Sequence, residues 1–325
     1  MRLILQEAAL RRIAPQLAPF EGKLELLAAD DAGKITGGGR SFSEDDAQPE
    51  AAWMSFGGGG GRAVATAVLK SQRLAWVHTT AAGLDAPIWA QVVDKGALLT
   101  TGHGQAVSMA EYVLAEVLAH FQRIGQRRAG QAAHRWSPIP FREVAGSRWL
   151  LVGFGAIGQA VGERARAFGA EIIAVRRSGS PHPLAGRIAA LADLPTLLPD
   201  ADVVVLAPPL NPETEGLADA AFFAAMKPAS VLVNVGRGRL VDETALLEAL
   251  ARGAPGHAIL DVFHAEPLPS DSPFWDHPRV ALTPHASAYG SGQLARNDAI
   301  FVENLRRRLA GEALLYPADP RDIGR

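Results

Sequence analysis

The chain has 325 residues, 48% hydrophobic and 20% charged, with a formal net charge of −2 at neutral pH. That length exceeds the roughly 250 to 300 residues one core supports, so two domains are expected, while the composition excludes a disordered or fibrous chain. The small net charge gives no pull toward nucleic acid or a membrane surface, and the absence of cysteine excludes disulfides, thiol nucleophiles and thiolate metal sites, in keeping with a reducing, cytoplasmic setting.

At the N-terminus, the apolar run in MRLILQEAALRRIAP is broken by Gln6 and Glu7. It is too short for a signal peptide, and no later run approaches the about 20 apolar residues of a membrane span. From Met1 to about Thr100, the strand-like runs RLILQ, KLELLA, AAWMSF and LAWVHTT alternate with helical or glycine-rich segments, which predicts a small α/β lobe. Five glycines, Gly57 to Gly61, cannot hold a regular element and predict a mobile loop, either a surface linker or a loop facing substrate. Trp53, Phe56 and Trp136 read as core or interface aromatics.

In SMAEYVLAEVLAHFQRIGQ the residues Met109, Val113, Val117, Leu118 and Phe121 recur at helical spacing. Ser108 before them is a good N-cap residue, so a long helix is expected to lead into the second lobe. Its apolar stripe is either a seam between subunits or burial within one chain. From Arg148 onward strands and helices alternate: WLLVGFG, AEIIAVRR, ADVVVLAP, ASVLVNVGRG, HAILDVF and VALTPH are the strands. Their near-continuous apolar character predicts a parallel, doubly wound sheet covered on both faces. The segment LARNDAIFVENLRRRLAGE predicts a late helix that folds back on the first lobe and makes that lobe discontinuous. The expected division is 1–100 with 289–325 as one domain and 101–288 as the other.

Gly153, Gly155 and Gly158 form GxGxxG between a strand and a helix, the pattern that turns tightly, admits a pyrophosphate and packs helix on strand. Helix-terminal amides then face the phosphates. About twenty residues later, where an acidic residue would hold a ribose, stand Arg176, Arg177 and Ser178. A carboxylate there would repel a 2′-phosphate, whereas two guanidiniums and a hydroxyl attract one; the expected cofactor is NADPH, with NADH as the alternative. Three later strands lead into Arg237, into Asp261 and Glu266, and into His285. A cation, carboxylates and an imidazole thus converge on the carboxyl edge of one sheet, where doubly wound folds bind ligands. The remaining histidines show no spacing for a metal, and none is expected.

These residues carry a resemblance. The order TTAAGLD, MAEYVL, LVGFGAIG, PLNPETEGL, NVGRGRLVDETALLEAL, DVFHAEPLPSDSPFWDHPRV and LTPHASA, from about Leu74 to His285, is similar to that of the D-isomer-specific 2-hydroxyacid dehydrogenases, and within them to glyoxylate and hydroxypyruvate reductases. The resemblance implies a Rossmann cofactor domain and a smaller flavodoxin-like substrate domain. It implies that Arg237 binds the carboxylate and keto oxygen of a small 2-oxo acid, that His285 is the general acid/base touching substrate and cofactor, and that Glu266 pairs with the imidazole. Asp261 would face the nicotinamide, and backbone amides at Ala82 and Gly83 would hold the substrate carboxylate. Ala156, Ile157, Pro208, Pro209, Thr214 and Val235 complete the implied cofactor contacts. The family pattern also implies a homodimer. This sequence departs from it at Ala81, Ser287, Tyr289 and the glycine run.

The implied reaction is NADPH-dependent reduction of glyoxylate or hydroxypyruvate, with His285 donating the proton. Alternatives are an NAD-dependent dehydrogenase acting on D-lactate, phosphoglycerate, phosphite or formate, and a dinucleotide-sensing binding protein without catalysis. The Arg237, Glu266 and His285 set weighs against a pure sensor, and the absence of a long C-terminal extension weighs against the larger phosphoglycerate enzymes.

Overall fold

The computed structural model describes residues 1–55 and 59–324; Phe56, Gly57 and Gly58 lie outside the described residues. The chain forms two compact units, Met1–Gln105 with Ser291–Arg325, and Ala106–Gly290. The first division falls after 105 rather than 100 because the chain beyond the last strand stays on the late helix: the Gly104 N–H donates to Asn297 Oδ1 at 2.8 Å, and a Cβ at Gly102 or Gly104 would collide with Asn297. The second falls after Gly290 rather than 288.

In the first unit the strands are β1 (Arg2–Gln6), β2 (Glu25–Ala29), β3 (Ile35–Gly37), β4 (Arg40–Phe42), β5 (Ala51–Met54), β6 (Trp76–Thr79) and β7 (Leu98–Thr101), ordered β4-β3-β2-β1-β5-β6-β7. All neighbours are parallel except in the β2-β3-β4 meander. Alternate strand residues serve opposite faces, as the two-residue period of a strand requires. Ile4, Ala52 and Val77 pack with the helices Gly61–Lys70 and Pro87–Asp94; Leu3, Leu5, Trp53 and Trp76 pack with Glu7–Leu17 and the late helix Gln293–Ala310. Phe301 of that helix stacks on Trp53 and Trp76, and Asp298 receives two hydrogen bonds from Arg12. Trp53 is therefore a core residue.

The described part of the glycine run is not a free loop. Gly59 and Gly60 lie against Ala29–Asp31, where a Cβ on either would meet backbone within about 2.6 Å, and Gly61 opens a helix.

The second unit holds β8 (Arg148–Val152), β9 (Glu171–Val175), β10 (Arg187–Ala189), β11 (Val203–Leu206), β12 (Val231–Asn234), β13 (His257–Leu260) and β14 (Val280–Leu282), all parallel, ordered β10-β9-β8-β11-β12-β13-β14. Leu150, Val204, Leu232 and Ala258 face one core, and their neighbours Leu151, Val203, Val233 and Ile259 face the other. Both faces being covered is why these strands carry unbroken apolar runs.

The helix expected to start after Ser108 begins at Ala106. Ser108 is inside it and buried, and its hydroxyl donates to the Ala288 carbonyl at 3.0 Å rather than capping the helix. Met109, Val113, Val117 and Phe121 pack with Trp149, Leu151 and the Ala156–Ala167 helix. That stripe is burial within this unit and not a seam between subunits. The helix stops at Phe121; a second, Ile124–Ala132, has no buried residue and is followed by a fully exposed Trp136.

Candidate active site

β8 lies between β9 and β11, so the chain leaves it in opposite directions on its two sides, and the crevice beyond its carboxyl end is the switch point where such sheets take ligands. Gly153 leaves β8 at φ +90°, and a Cβ there would collide with the Ala207–Pro208 backbone beyond β11. A Cβ on Gly158 would collide with the Gly153 carbonyl, so the helix can approach the turn only with glycine there. Gly155 differs: it is the N-cap of the Ala156–Ala167 helix, and among the described residues no atom beyond its chain neighbours lies within 4 Å of where its Cβ would stand. Open ground over helix-terminal amides, with half-buried Ala156 and Ile157 behind it, fits a pyrophosphate.

The Gly153 amide donates to the Val175 carbonyl at 3.0 Å, which sets the end of β9 beside the turn. Arg176, half-buried, and exposed Arg177 and Ser178 follow directly. The Ser178 hydroxyl lies 3.0 Å from that of Ser180. Beyond β11, Pro208 is buried against Gly153 and Pro209 is half-buried. Thr214 is buried, its hydroxyl bonded to the Pro209 carbonyl at 2.6 Å and the Asn211 amide at 3.0 Å, so it holds the shape of that loop. Val235 is buried and its amide donates to Leu206.

Beyond β13 and β14 Glu266 and His285 meet, and Arg237 follows β12 at the same edge of the sheet. The loop after β12 is held by Asn234, whose amide donates to the Arg237 carbonyl at 2.9 Å and whose Oδ1 accepts from Gly236 at 3.1 Å. Gly238 lets this loop lie on the Phe263–His264 backbone, where a Cβ would collide, and leaves Arg237 half-buried. The Glu266 Oε1 atom accepts the Phe263 amide at 3.0 Å, and Oε2 pairs with His285 Nδ1 at 2.8 Å; their side chains are 36% and 47% exposed. With Nδ1 donating to the carboxylate, Nε2 is the nitrogen left to exchange a proton.

His285 has a left-handed backbone, φ +52°, uncommon for a residue with a Cβ. Asp261 holds it there. The Asp261 carbonyl accepts the His285 amide at 2.8 Å, and its buried carboxylate accepts the Ala286 and Ser287 amides at 2.8 and 3.1 Å, the Ser287 hydroxyl, and the Thr283 hydroxyl at 2.7 Å. Having donated its proton to Asp261, Thr283 accepts from Tyr112, whose hydroxyl lies 2.8 Å away. Burial pushes the Tyr112 phenol well up, so it remains a donor. Sequence reasoning assigned Asp261 to the nicotinamide and overlooked Tyr112 and Thr283.

In the first unit, the bend after β6 carries exposed Ala82 and half-buried Gly83, fixed by the Ala81 amide on Thr79 Oγ1 at 3.1 Å and by a bridge from Leu84 to Ile323. Among the described residues no group of three or more His, Asp or Glu is placed to hold a metal ion, and no helix is long and apolar enough to cross a membrane.

Residues 114–287, more than half of the chain, match the model for D-isomer specific 2-hydroxyacid dehydrogenase, NAD binding domain. The chain belongs to this family. Among its 2-hydroxyacid dehydrogenase relatives, a glyoxylate/hydroxypyruvate reductase A of Serratia proteamaculans is 32% identical over 258 residues, covering 77% of this chain and 81% of the relative. A D-3-phosphoglycerate dehydrogenase of Mycobacterium leprae is 39% identical over 207 residues, 63% of this chain; the match spans only 39% of that relative's length. A crystal structure of a D-isomer specific 2-hydroxyacid dehydrogenase from Xanthobacter autotrophicus Py2, in complex with NADPH and MES, aligns with a TM-score of 0.80 at 28% identity over 98% of each chain. The matched residues 114–287 lie within the second unit, which is thus the family's NAD binding domain.

Proposed function

We propose that the protein is an NADPH-dependent reductase of small 2-oxo acids, glyoxylate and hydroxypyruvate among them. The observation that carries this reading is the Glu266–His285 pair at the carboxyl edge of the sheet that also bears the glycine turn. A reduced nicotinamide, when bound, supplies the hydride. The chain supplies the rest: His285 Nε2 delivers a proton to the carbonyl oxygen, Glu266 fixes the imidazole's orientation and tautomer, and Arg237 offers forked donors to the carboxylate. Amides at Ala82 and Gly83 of the first unit are also proposed as contacts for a substrate carboxylate. Arg176, Arg177 and Ser178, set beside the turn by the Gly153–Val175 hydrogen bond, favour a 2′-phosphate over a bare ribose.

A second copy of the chain is the proposed partner. The helix without buried residues, exposed Trp136 and 48% exposed Phe141 support a homodimer formed there.

The test is kcat/KM for glyoxylate, hydroxypyruvate and 3-phosphohydroxypyruvate with NADPH and NADH, in the parent and in Arg176→Ala, Arg177→Ala and His285→Asn. We expect an NADPH preference that collapses in the arginine variants. Turnover should fall roughly 10² to 10⁴-fold in His285→Asn with NADPH affinity retained. Equal use of NADH by the parent overturns the cofactor assignment; near-normal turnover without His285 overturns the mechanism. Preference for the phosphorylated acid favours the phosphoglycerate reading instead.

A further inference from the structure

We propose that Ile323 and Gly324 are positioning residues for the reductase: segment 312–324, which carries them, is a strap that fixes the backbone of residues 80–86. This rests on the reductase reading above and adds to it two residues that act through that backbone rather than on the substrate.

β7 is an edge of the first unit's sheet, and an open edge presents unpaired backbone groups. Segment 312–324 covers it. Asn304 of the late helix, fully buried, clamps Leu315 by accepting its amide at 2.7 Å and donating to its carbonyl at 3.0 Å. The chain then runs antiparallel to β7: the Thr101 amide donates to the Tyr316 carbonyl at 3.0 Å, and the Ala318 amide to the Leu99 carbonyl at 2.9 Å. Pro317 lies opposite Thr100 between those two bonds, where its missing N–H costs nothing. The Tyr316 ring packs on His103 with centroids 4.0 Å apart.

Beyond β7 the same segment turns toward the bend after β6. Asp319 accepts the Arg321 amide at 3.0 Å and so starts the short turn Pro320–Asp322. Ile323 then pairs in parallel with Leu84 and is 9% exposed, in the core that also holds Leu84 and Trp89. The Gly324 amide donates to the Leu84 carbonyl at 2.8 Å. Here the chain passes so close to Asp85 that a Cβ on Gly324 would stand 2.6 Å from the Asp85 carbonyl oxygen, an approach that only glycine permits.

Covering β7 accounts for Tyr316 to Ala318, but not for Ile323 and Gly324, whose bonds go to the bend. Residues 80–86 belong to no strand or helix, lying between β6 and the helix Pro87–Asp94, so bonds from outside set their direction. The Thr80 amide on the Met54 carbonyl at 3.2 Å and the Ala81 amide on Thr79 Oγ1 at 3.1 Å fix the start. Leu84, held by the strap, fixes the end. Ala82 and Gly83, proposed above as carboxylate contacts, lie between the two anchors, and releasing one anchor lets their amides turn. A carboxylate contact is made equally in the ground state and the transition state, so its loss raises KM and leaves kcat in place.

The experiment compares the parent with Ile323→Ser, which removes the buried side chain, and Gly324→Ala, which forces the chain off Asp85. Ile13→Val, a core change on the other face of the same sheet, controls for lost stability. KM for glyoxylate and hydroxypyruvate should rise about tenfold in both strap variants, with kcat and the NADPH dissociation constant within about twofold. Ile323→Val should restore KM, and Ile13→Val should lower the melting temperature without moving it. Amide hydrogen exchange over residues 80–86 should quicken in the strap variants and not in Ile13→Val. Should Ile323→Ser fail to fold, Gly324→Ala decides alone. Folded strap variants with the parental KM, or an equal rise in Ile13→Val, overturn the strap and leave the reductase reading intact. A parent that reduces no 2-oxo acid with NADPH or NADH overturns the reductase reading, and this proposal with it.

Discussion

At the scale of single residues, the catalytic candidate His285 depends on a chain of hydrogen bonds behind its backbone. Its left-handed backbone is sustained by Asp261, and the orientation of Asp261 is sustained by Thr283 and Tyr112. Thr283→Val keeps the shape and removes the hydroxyl that donates to a buried carboxylate. Losing one such bond costs about 1 to 3 kcal/mol where the partner stays buried, and part of that cost should appear as a looser His285 turn. We expect kcat to fall about tenfold or less, with KM and NADPH affinity within about twofold, and Thr283→Ser to restore kcat. If kcat is unchanged while the melting temperature drops, Thr283 supports the fold and does not position the histidine. That Arg237, Glu266 and His285 follow strands was legible in the sequence because each comes after an apolar run. Tyr112 and Thr283 were not legible, since a hydrogen bond between residues 171 positions apart leaves no periodicity to read.

At the scale of elements, the buried strands were the clearest feature, because a strand covered on both faces must be apolar throughout. The short β3–β4 meander went unread, its strands being three residues each and largely exposed. The apolar stripe at Met109, Val113 and Val117 was read correctly as a helix, but periodicity says nothing about which partner covers it, and here the partner is the same unit. The segment after it has the opposite character: Ile124–Ala132 buries nothing, and the Trp136 indole is wholly exposed beside a surface cavity of about 610 Å³ lined by Arg127, His134 and Pro138. A tryptophan in water is a strong candidate for the centre of a subunit contact. Trp136→Glu should therefore convert a dimer to a monomer, read as a halving of mass by light scattering at micromolar protein. A parent chain that is monomeric at the same concentration, or a variant that stays dimeric, places the contact elsewhere or removes it.

At the scale of the whole molecule, each unit carries an imidazole, buried in the first and half-buried in the second, whose charge the fold opposes. In the first, His78 is sealed between Trp53, Trp76 and Phe301, with Nδ1 on the Thr100 hydroxyl at 2.7 Å, and burial pushes it down to about 3, with His103 adding to the effect. In the second, His257 stacks on His120 at 4.0 Å, and burial, then the neighbouring His120 and His277, push it down to about 3. In the unfolded chain both take up a proton near about pH 6.5. The unfolded state therefore binds more protons throughout the interval from about 6.5 to 3, so stability is complete above about 6.5 and is lost as the pH falls. Burial also lowers His103 and His120, which adds in the same direction. Carboxylates held low, such as Glu303 on Arg306 and Arg307 at about 2, contribute only once the pH falls below the ordinary carboxylate range. Between pH 6.5 and 5 the histidines dominate, opposed by Glu116, whose carboxyl burial pushes up, and unfolding should take up protons there, approaching about two from His78 and His257 near pH 5. Melting temperatures measured from pH 8 to 5 should be level above about 7 and decline steadily below it, with His257→Gln reducing the slope. A flat profile down to pH 5 would require both imidazoles to be charged without cost inside the folded units, and neither ring has a carboxylate partner among its described contacts to make that possible.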